Sequence, residues 1–235
     1  MNKQNFLIIL GTAHLATTPG KCSPDKSLCE YQYSRSRING IAVKLKKLGY
    51  NVVIDMVDSH PNASIKSSSP KTEQSQELQY RCKVVNDLCK RYGNSNCIYV
   101  SLHVDAAGSG SQWMNAGGWT AYTSKGKTKA DTLAECLYDA AEVHLKSYAA
   151  YMEERKKLGM YSQVQKPFRT DTTDGDRDKE VDFYVLAHTS CPAVLTENLF
   201  QDSKADVDFL LSNEGKEAIE NLHVDGIRKY IDALS

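Results

Sequence analysis

The chain has 235 residues, enough to bury a substantial core without metal or disulfide support. Its 29 Lys+Arg balance 29 Asp+Glu, so it lacks the basic excess of a dedicated polyanion binder, and no nucleic-acid partner is expected. The mean hydropathy is −0.48, and no apolar run approaches the ~18 residues of a membrane span, so no membrane partner is expected either.

From the N-terminus, Phe6 to Leu10 is a short apolar run. It is shorter than the roughly 7–15 residue core of a signal peptide. It reads instead as an interior strand covered on both faces. The chain is therefore expected either to accumulate in the cytoplasm or to be exported and supplied here without its leader. A polar loop with Pro19 and Gly20 runs from Gly11 to about Cys29. Ile38, Ile41, Ala42, Leu45 and Leu48 then recur at helical steps, with Gly49 where a C-cap glycine belongs. Val52 to Ile54 reads as a second strand, and Ser59 to Gln76 as a loop with little core.

Leu78, Val84, Val85 and Leu88 predict a second helix ending near Gly93, and Cys97 to Val104 a third strand. A glycine-rich stretch from Gly108 to Gly118 precedes a strand from Trp119 to Thr123. Thr128 to about Leu158 reads as helix with a break near Ser147, and Gln163 to Lys179 as a polar, aspartate-dense insertion. Asp182 to Ala187 and Ala193 to Glu197 read as two more strands, and Ile219, Leu222, Ile227, Ile231 and Leu234 mark a closing helix. This alternation predicts one α/β domain over residues 1–235, with a twisted, mainly parallel sheet of about six strands flanked by helices. A monomer is expected. Seven cysteines are scattered without a C-x-x-C pair. Reduced thiols are the simpler expectation, and a Cys22–Cys29 bridge across one loop is the alternative.

Ligands of open α/β sheets bind beyond the carboxyl ends of the strands. His14 follows the first predicted strand, Glu30 opens the first helix, His103 lies at the end of the third strand, and Glu197 ends the last. Two imidazoles and a carboxylate suit a catalytic zinc with one open position, and a second carboxylate can accept the proton of a water. The same residues also suit plain structural roles: a strand-end histidine often only hydrogen-bonds, and a glutamate at a helix start complements the dipole. Their separations match no short zinc motif, and H-E-x-x-H is absent.

Other signals fall away or stay open. Gly126-Lys127-Thr128 lacks the earlier glycine of a phosphate loop, since position 121 is Ala121, and no G-x-S-x-G occurs. His188 reads as a structural or substrate-binding histidine, and His60, His144 and His223 as solvated or packed ones. Arg169, Asp171, Asp174, Asp176 and Arg177 crowd the insertion as a solvated loop or a groove wall. Trp119 and Tyr122 read as strand packing, and Trp113 as a loop residue able to stack on a sugar.

The segments GTAHLATTPGKCSPDKSLCEYQYSR, YVSLHVDAAGSG and PAVLTENLF, in that order, resemble the zinc-dependent N-acetylmuramoyl-L-alanine amidases of the amidase-3 family. The resemblance runs from about Phe6 to Ile231. It implies a Zn2+ held by His14, Glu30 and His103, with Glu197 as the catalytic carboxylate. The implied substrate is peptidoglycan, cut between N-acetylmuramic acid and the L-alanine of the stem peptide. Two departures stand out: Gly11-Thr12-Ala13-His14-Leu15 replaces the family's Asp-Pro-Gly-His-Gly, and Asp105 stands where Asn is common. Asp105 then reads as an acceptor for a ligand imidazole or as groove lining. Stem peptides carry carboxylates and often a diamino acid, which arginine and aspartate of the insertion can read. The competing readings are a zinc exopeptidase of similar fold, for which no substrate-terminus clamp is identifiable, and a catalytically dead wall-binding module, against which the four retained groups speak.

Overall fold

The computed structural model describes residues 5–66, 69–158 and 166–234; the first part of the predicted insertion, 163–165, lies outside them. The apolar runs become β1 (Leu7–Thr12), β2 (Asn51–Ile54), β3 (Cys97–Asp105), β4 (Thr120–Thr123), β5 (Lys179–Glu180) and β6 (Ala193–Phe200). They form one sheet in the order β2-β1-β3-β6-β4-β5. The ladders β1–β2, β1–β3 and β3–β6 are parallel, and β4 runs antiparallel to β6. The mainly parallel, single-domain α/β architecture is the expected one.

Strand parity decides what each face buries. Even-numbered Ile8, Leu10, Ile98, Val100 and Leu102 share a core with α1 (Glu30–Lys47), α3 (Lys129–His144) and α7 (Asn213–Ala233). Odd-numbered Leu7, Ile9, Cys97 and Tyr99 pack with Cys82, Val85 and Cys89 of α2 (Pro70–Tyr92) and Val185 and Leu186 of α5 (Tyr184–Ala187). Burial on both faces explains why these strands read as continuous apolar runs rather than alternating ones. The odd parity continues into His103 and Glu197, so both belong to the α2–α5 side. Between β3 and β6 the register shifts after His103–Glu197, so that Asp105 pairs with Phe200. Leu199, at φ 64, sits in this bulge.

Several expectations are corrected. Asp182 to Ala187 is not a strand: Leu186 and Ala187 amides both donate to the Phe183 carbonyl, closing the helical turn α5. Adjacent Val185 and Leu186 are both buried toward α2, whereas a strand would send them to opposite faces. The loop predicted to Gln76 gives way at Pro70, which occupies the first turn of α2, where its missing N–H costs nothing. α6 (Lys204–Leu211) was not anticipated. The break in the long helical segment falls at Leu145, between α3 and α4 (Lys146–Lys157). β6 runs past Glu197 to Phe200. Finally, the expectation of reduced thiols fails at one pair: Cys22 and Cys29 face each other across an antiparallel bridge, Cα atoms 4.0 Å apart, and form a disulfide. Cys82, Cys89, Cys97, Cys136 and Cys191 are free and buried. Among the described residues no helix is long and apolar enough to cross a membrane.

Candidate active site

Three chain segments meet at the carboxyl end of the central strands. β1 delivers His14 two residues beyond its end, in the left-handed region at φ 44. That conformation is uncommon for a non-glycine residue, and the surroundings must hold it. Arg35 of α1 does so by donating to the carbonyls of Ala13 (2.8 Å) and His14 (2.9 Å). Ser34 adds a second tie, accepting from the Ala13 amide at 2.8 Å and donating to the Leu102 carbonyl at 2.7 Å. Beneath, Asp55 accepts from the Thr12 amide (3.0 Å), the Tyr99 hydroxyl (2.9 Å) and the Arg81 guanidinium (2.7 Å). Arg81 in turn pairs with Glu77, so a buried charged network underlies the turn that carries His14.

Glu30 is the first residue of α1 and is 1% exposed. Its amide donates to the Lys21 carbonyl at 2.9 Å, next to the Cys22–Cys29 disulfide. Its carboxylate spans the two imidazoles: Oε1 lies 3.0 Å from His103 Nδ1, and Oε2 lies 3.3 Å from His14 Nε2. The two rings meet edge to face with centroids 5.1 Å apart. The ligand atoms of His14, Glu30 and His103 all fall within 4.8 Å of one another, a group able to hold a metal ion. Burial opposes ionisation of Glu30, but the adjoining imidazoles prevail and hold its carboxyl well below the ordinary range. Burial also lowers the pKa of His103 against the pull of Glu30, favouring the neutral ring that a metal requires.

Glu197 stands opposite His103 in the β3–β6 register. Burial, then the charges of Glu30 and Asp105, push its pKa well up, against Lys21 and Arg169. Glu197 Oε2 is buried without a hydrogen-bond partner, and Glu30 Oε2 has ion pairs with His14 and Lys21 but no hydrogen bond of good geometry. Under-satisfied buried carboxylate oxygens are costly in a closed protein. They fit a site whose remaining partners are a cation and a water, and two imidazoles with one carboxylate are a catalytic zinc donor set. The cleft in front has a volume of ≈ 240 Å³ and is walled by Leu78 of α2, Phe183, Tyr184 and Leu195.

The family model for N-acetylmuramoyl-L-alanine amidase matches residues 8–229. The chain belongs to this family. Solved amidase structures share the fold. The CwlD amidase from Clostridioides difficile, in complex with the GerS lipoprotein, is 19% identical with a TM-score of 0.70, over 97% of this chain and 99% of that one. The N-acetylmuramyl-L-alanine amidase of Mycobacterium smegmatis is 14% identical with a TM-score of 0.68, over 99% and 100%. The catalytic domain of an endolysin targeting Clostridia difficile is 20% identical with a TM-score of 0.60, over 95% and 97%. No functionally curated protein matches the chain by sequence. The chain is thus an enzyme of the N-acetylmuramoyl-L-alanine amidase class, acting on peptidoglycan.

The remaining expected residues of this amidase disperse. Asp105 does not meet an imidazole; its Oδ2 accepts from Arg169 at 2.7 Å, and Arg169 lies over the Phe200 ring at 4.5 Å. His188 stacks on Tyr184 with centroids 4.0 Å apart and is not among the residues lining the cleft. Trp113 lines a separate hollow with Met114, Arg155 and Lys204. Lys21, 3.7 Å from Glu30 Oε2, and Ser101, 3.1 Å from His103 Nε2, also border the cleft and were not singled out from the sequence. Ser101 was legible, since it shares the strand parity of His103.

Proposed function

We propose that this amidase is zinc-dependent and hydrolyses the amide between N-acetylmuramic acid and L-alanine, with His14, Glu30 and His103 holding the metal and Glu197 moving the proton. The observation that carries this reading is the Glu30 carboxylate between two imidazoles, with Glu197, whose Oε2 is buried without a hydrogen-bond partner, opposite His103. When bound, zinc supplies Lewis acidity toward a carbonyl and lowers the pKa of water toward ~7. Glu197 takes the proton of the attacking water at a carboxylate oxygen and returns it to the departing amine of L-alanine. Lys21 and Arg169 lie near enough to favour the ionised form of Glu197. Leu78, Leu195, Phe183 and Tyr184 exclude bulk water from one side of the cleft. The enzyme works as a monomer on the cell wall.

The test is digestion of purified walls by the zinc-loaded protein, followed by mass analysis of the released ends. New L-alanine amino termini and intact muramic acid are expected, together with one zinc per chain. Cleavage at another peptide bond, or wall binding without new termini, overturns the proposal.

A further inference from the structure

A second hollow, of ≈ 380 Å³, includes Arg169, the partner of Asp105. Lys166, Arg169, Lys179, Asn115 and Phe200 line it. Its walls are fixed by main chain. The Trp119 amide donates to the Pro167 carbonyl and the Arg169 amide to the Trp119 carbonyl, both at 2.8 Å. Gly118, at φ 106, allows this approach, since a Cβ there would stand 2.4 Å from the Lys166 carbonyl oxygen. Lys179 is held in β5 by pairing with Tyr122 of β4, and its ammonium lies 5.9 Å from that ring centroid.

The charges in this hollow do not balance. Arg169 has one carboxylate, Asp105, at 2.7 Å. Among the described residues no carboxylate lies within ion-pair distance of Lys166 or Lys179. Burial and the positive charge of Arg169 lower the Lys179 pKa, against Asp105 and Asp171. Three cations on a rigid concave surface with one counter-charge form a preorganised anion receptor. The hollow also adjoins the chemistry. Asp105 lies two residues beyond His103 in β3, Phe200 is its register partner, and Thr120 of β4 pairs with Glu197.

We propose that this hollow is a specificity subsite for a carboxylate of the stem peptide, with Lys179 and Lys166 as its charge partners. The inference rests on the amidase reading, which places the stem peptide across Glu197. The residue after L-alanine in peptidoglycan is a γ-linked D-glutamate whose α-carboxyl is either free or amidated. The subsite takes the free carboxylate, and the amide leaves the cations unpaired.

The experiment compares muramoyl-L-alanyl-D-glutamate with its α-amidated counterpart, both with the γ-carboxyl capped as an N-methyl amide, as substrates of the zinc-loaded enzyme. The wild type is expected to show a KM about tenfold lower for the free acid at similar kcat. Lys179→Ala should raise KM for the acid about tenfold, leave the amide and kcat unchanged, and Lys179→Arg should restore the preference. Equal KM values in the wild type, or an equal loss on both substrates in Lys179→Ala, would overturn the subsite. Calorimetric binding of the dipeptides L-alanyl-D-glutamate and its α-amide, each with the γ-carboxyl capped as an N-methyl amide, separates this from the parent reading. Turnover of neither substrate defeats the amidase proposal alone, while failure of the acid dipeptide to bind more tightly than the amide defeats the subsite.

Discussion

Glu197 and His103 are register partners in the parallel ladder between β6 and β3. Because side chains alternate along a strand, the pairing puts an imidazole and a carboxylate on one face, on adjacent strands. Asn198 fastens the pair by donating through Nδ2 to the His103 carbonyl at 3.0 Å. The relative position of these two side chains is therefore set by the backbone hydrogen bonds of the ladder. His14 and Glu30 arrive from loop and helix, and their placement needs the side-chain ties described above.

Arg35 is the first of those ties to test. It donates to the carbonyls of Ala13, His14 and Asp58, and so fastens the β1–α1 turn to the segment after β2. Arg35→Ala should free His14 from its left-handed conformation and lower zinc affinity about tenfold or more, as loss of groups supporting metal ligands does. Competition with a chromophoric chelator measures this. Unchanged affinity would show that the turn holds itself.

The disulfide gives a count. Denatured without reductant, the protein should show five titratable thiols, those of Cys82, Cys89, Cys97, Cys136 and Cys191. Seven would contradict the bridge. Closing so short a loop is worth about 2 kcal/mol by chain entropy. Because Cys29 immediately precedes Glu30, the Cys22→Ser, Cys29→Ser double variant should lose zinc affinity as well as thermal stability, which metal analysis and melting resolve separately.

His223 predicts acid sensitivity. It is fully buried, with Nδ1 2.7 Å from the Ile219 carbonyl and Nε2 2.9 Å from the Thr196 hydroxyl. Burial lowers its pKa from 6.5 to about 4. The unfolded chain thus binds this proton first as pH falls, so the stabilisation is complete above pH 6.5 and is lost as pH drops toward 4. The loss amounts to about 3 kcal/mol. Denaturant melts of wild type and His223→Gln across this range should show a shallower pH slope in the variant. Identical slopes would contradict the assignment.

The site's main groups were legible because each sits where the sheet ends: His14 after β1, His103 late in β3, Glu197 in β6, and Glu30 at the start of α1. What escaped reading depends on tertiary contact. Tyr184 to Ala187 is a four-residue apolar run, too short for periodicity to separate helix from strand. Arg35 looks like any polar residue of an amphipathic helix until His14 folds beneath it. Asp55, Glu77 and Arg81 come from β2–α2 and mid-α2, and nothing in their spacing announces that they share one buried network. Asp105 lies one residue past the strand expected to end at Val104, and its partner Arg169 lies 64 positions away in the insertion.

The most direct test of the account is the Glu197→Ala variant, assayed for L-alanine termini released from purified walls with zinc content and melting measured on the same sample. Zinc and fold are expected to be largely retained and hydrolysis reduced by about 10²–10⁴-fold, the usual contribution of a general base. A variant that keeps more than about a tenth of wild-type activity would remove Glu197 from the proton's path and contradict the mechanism.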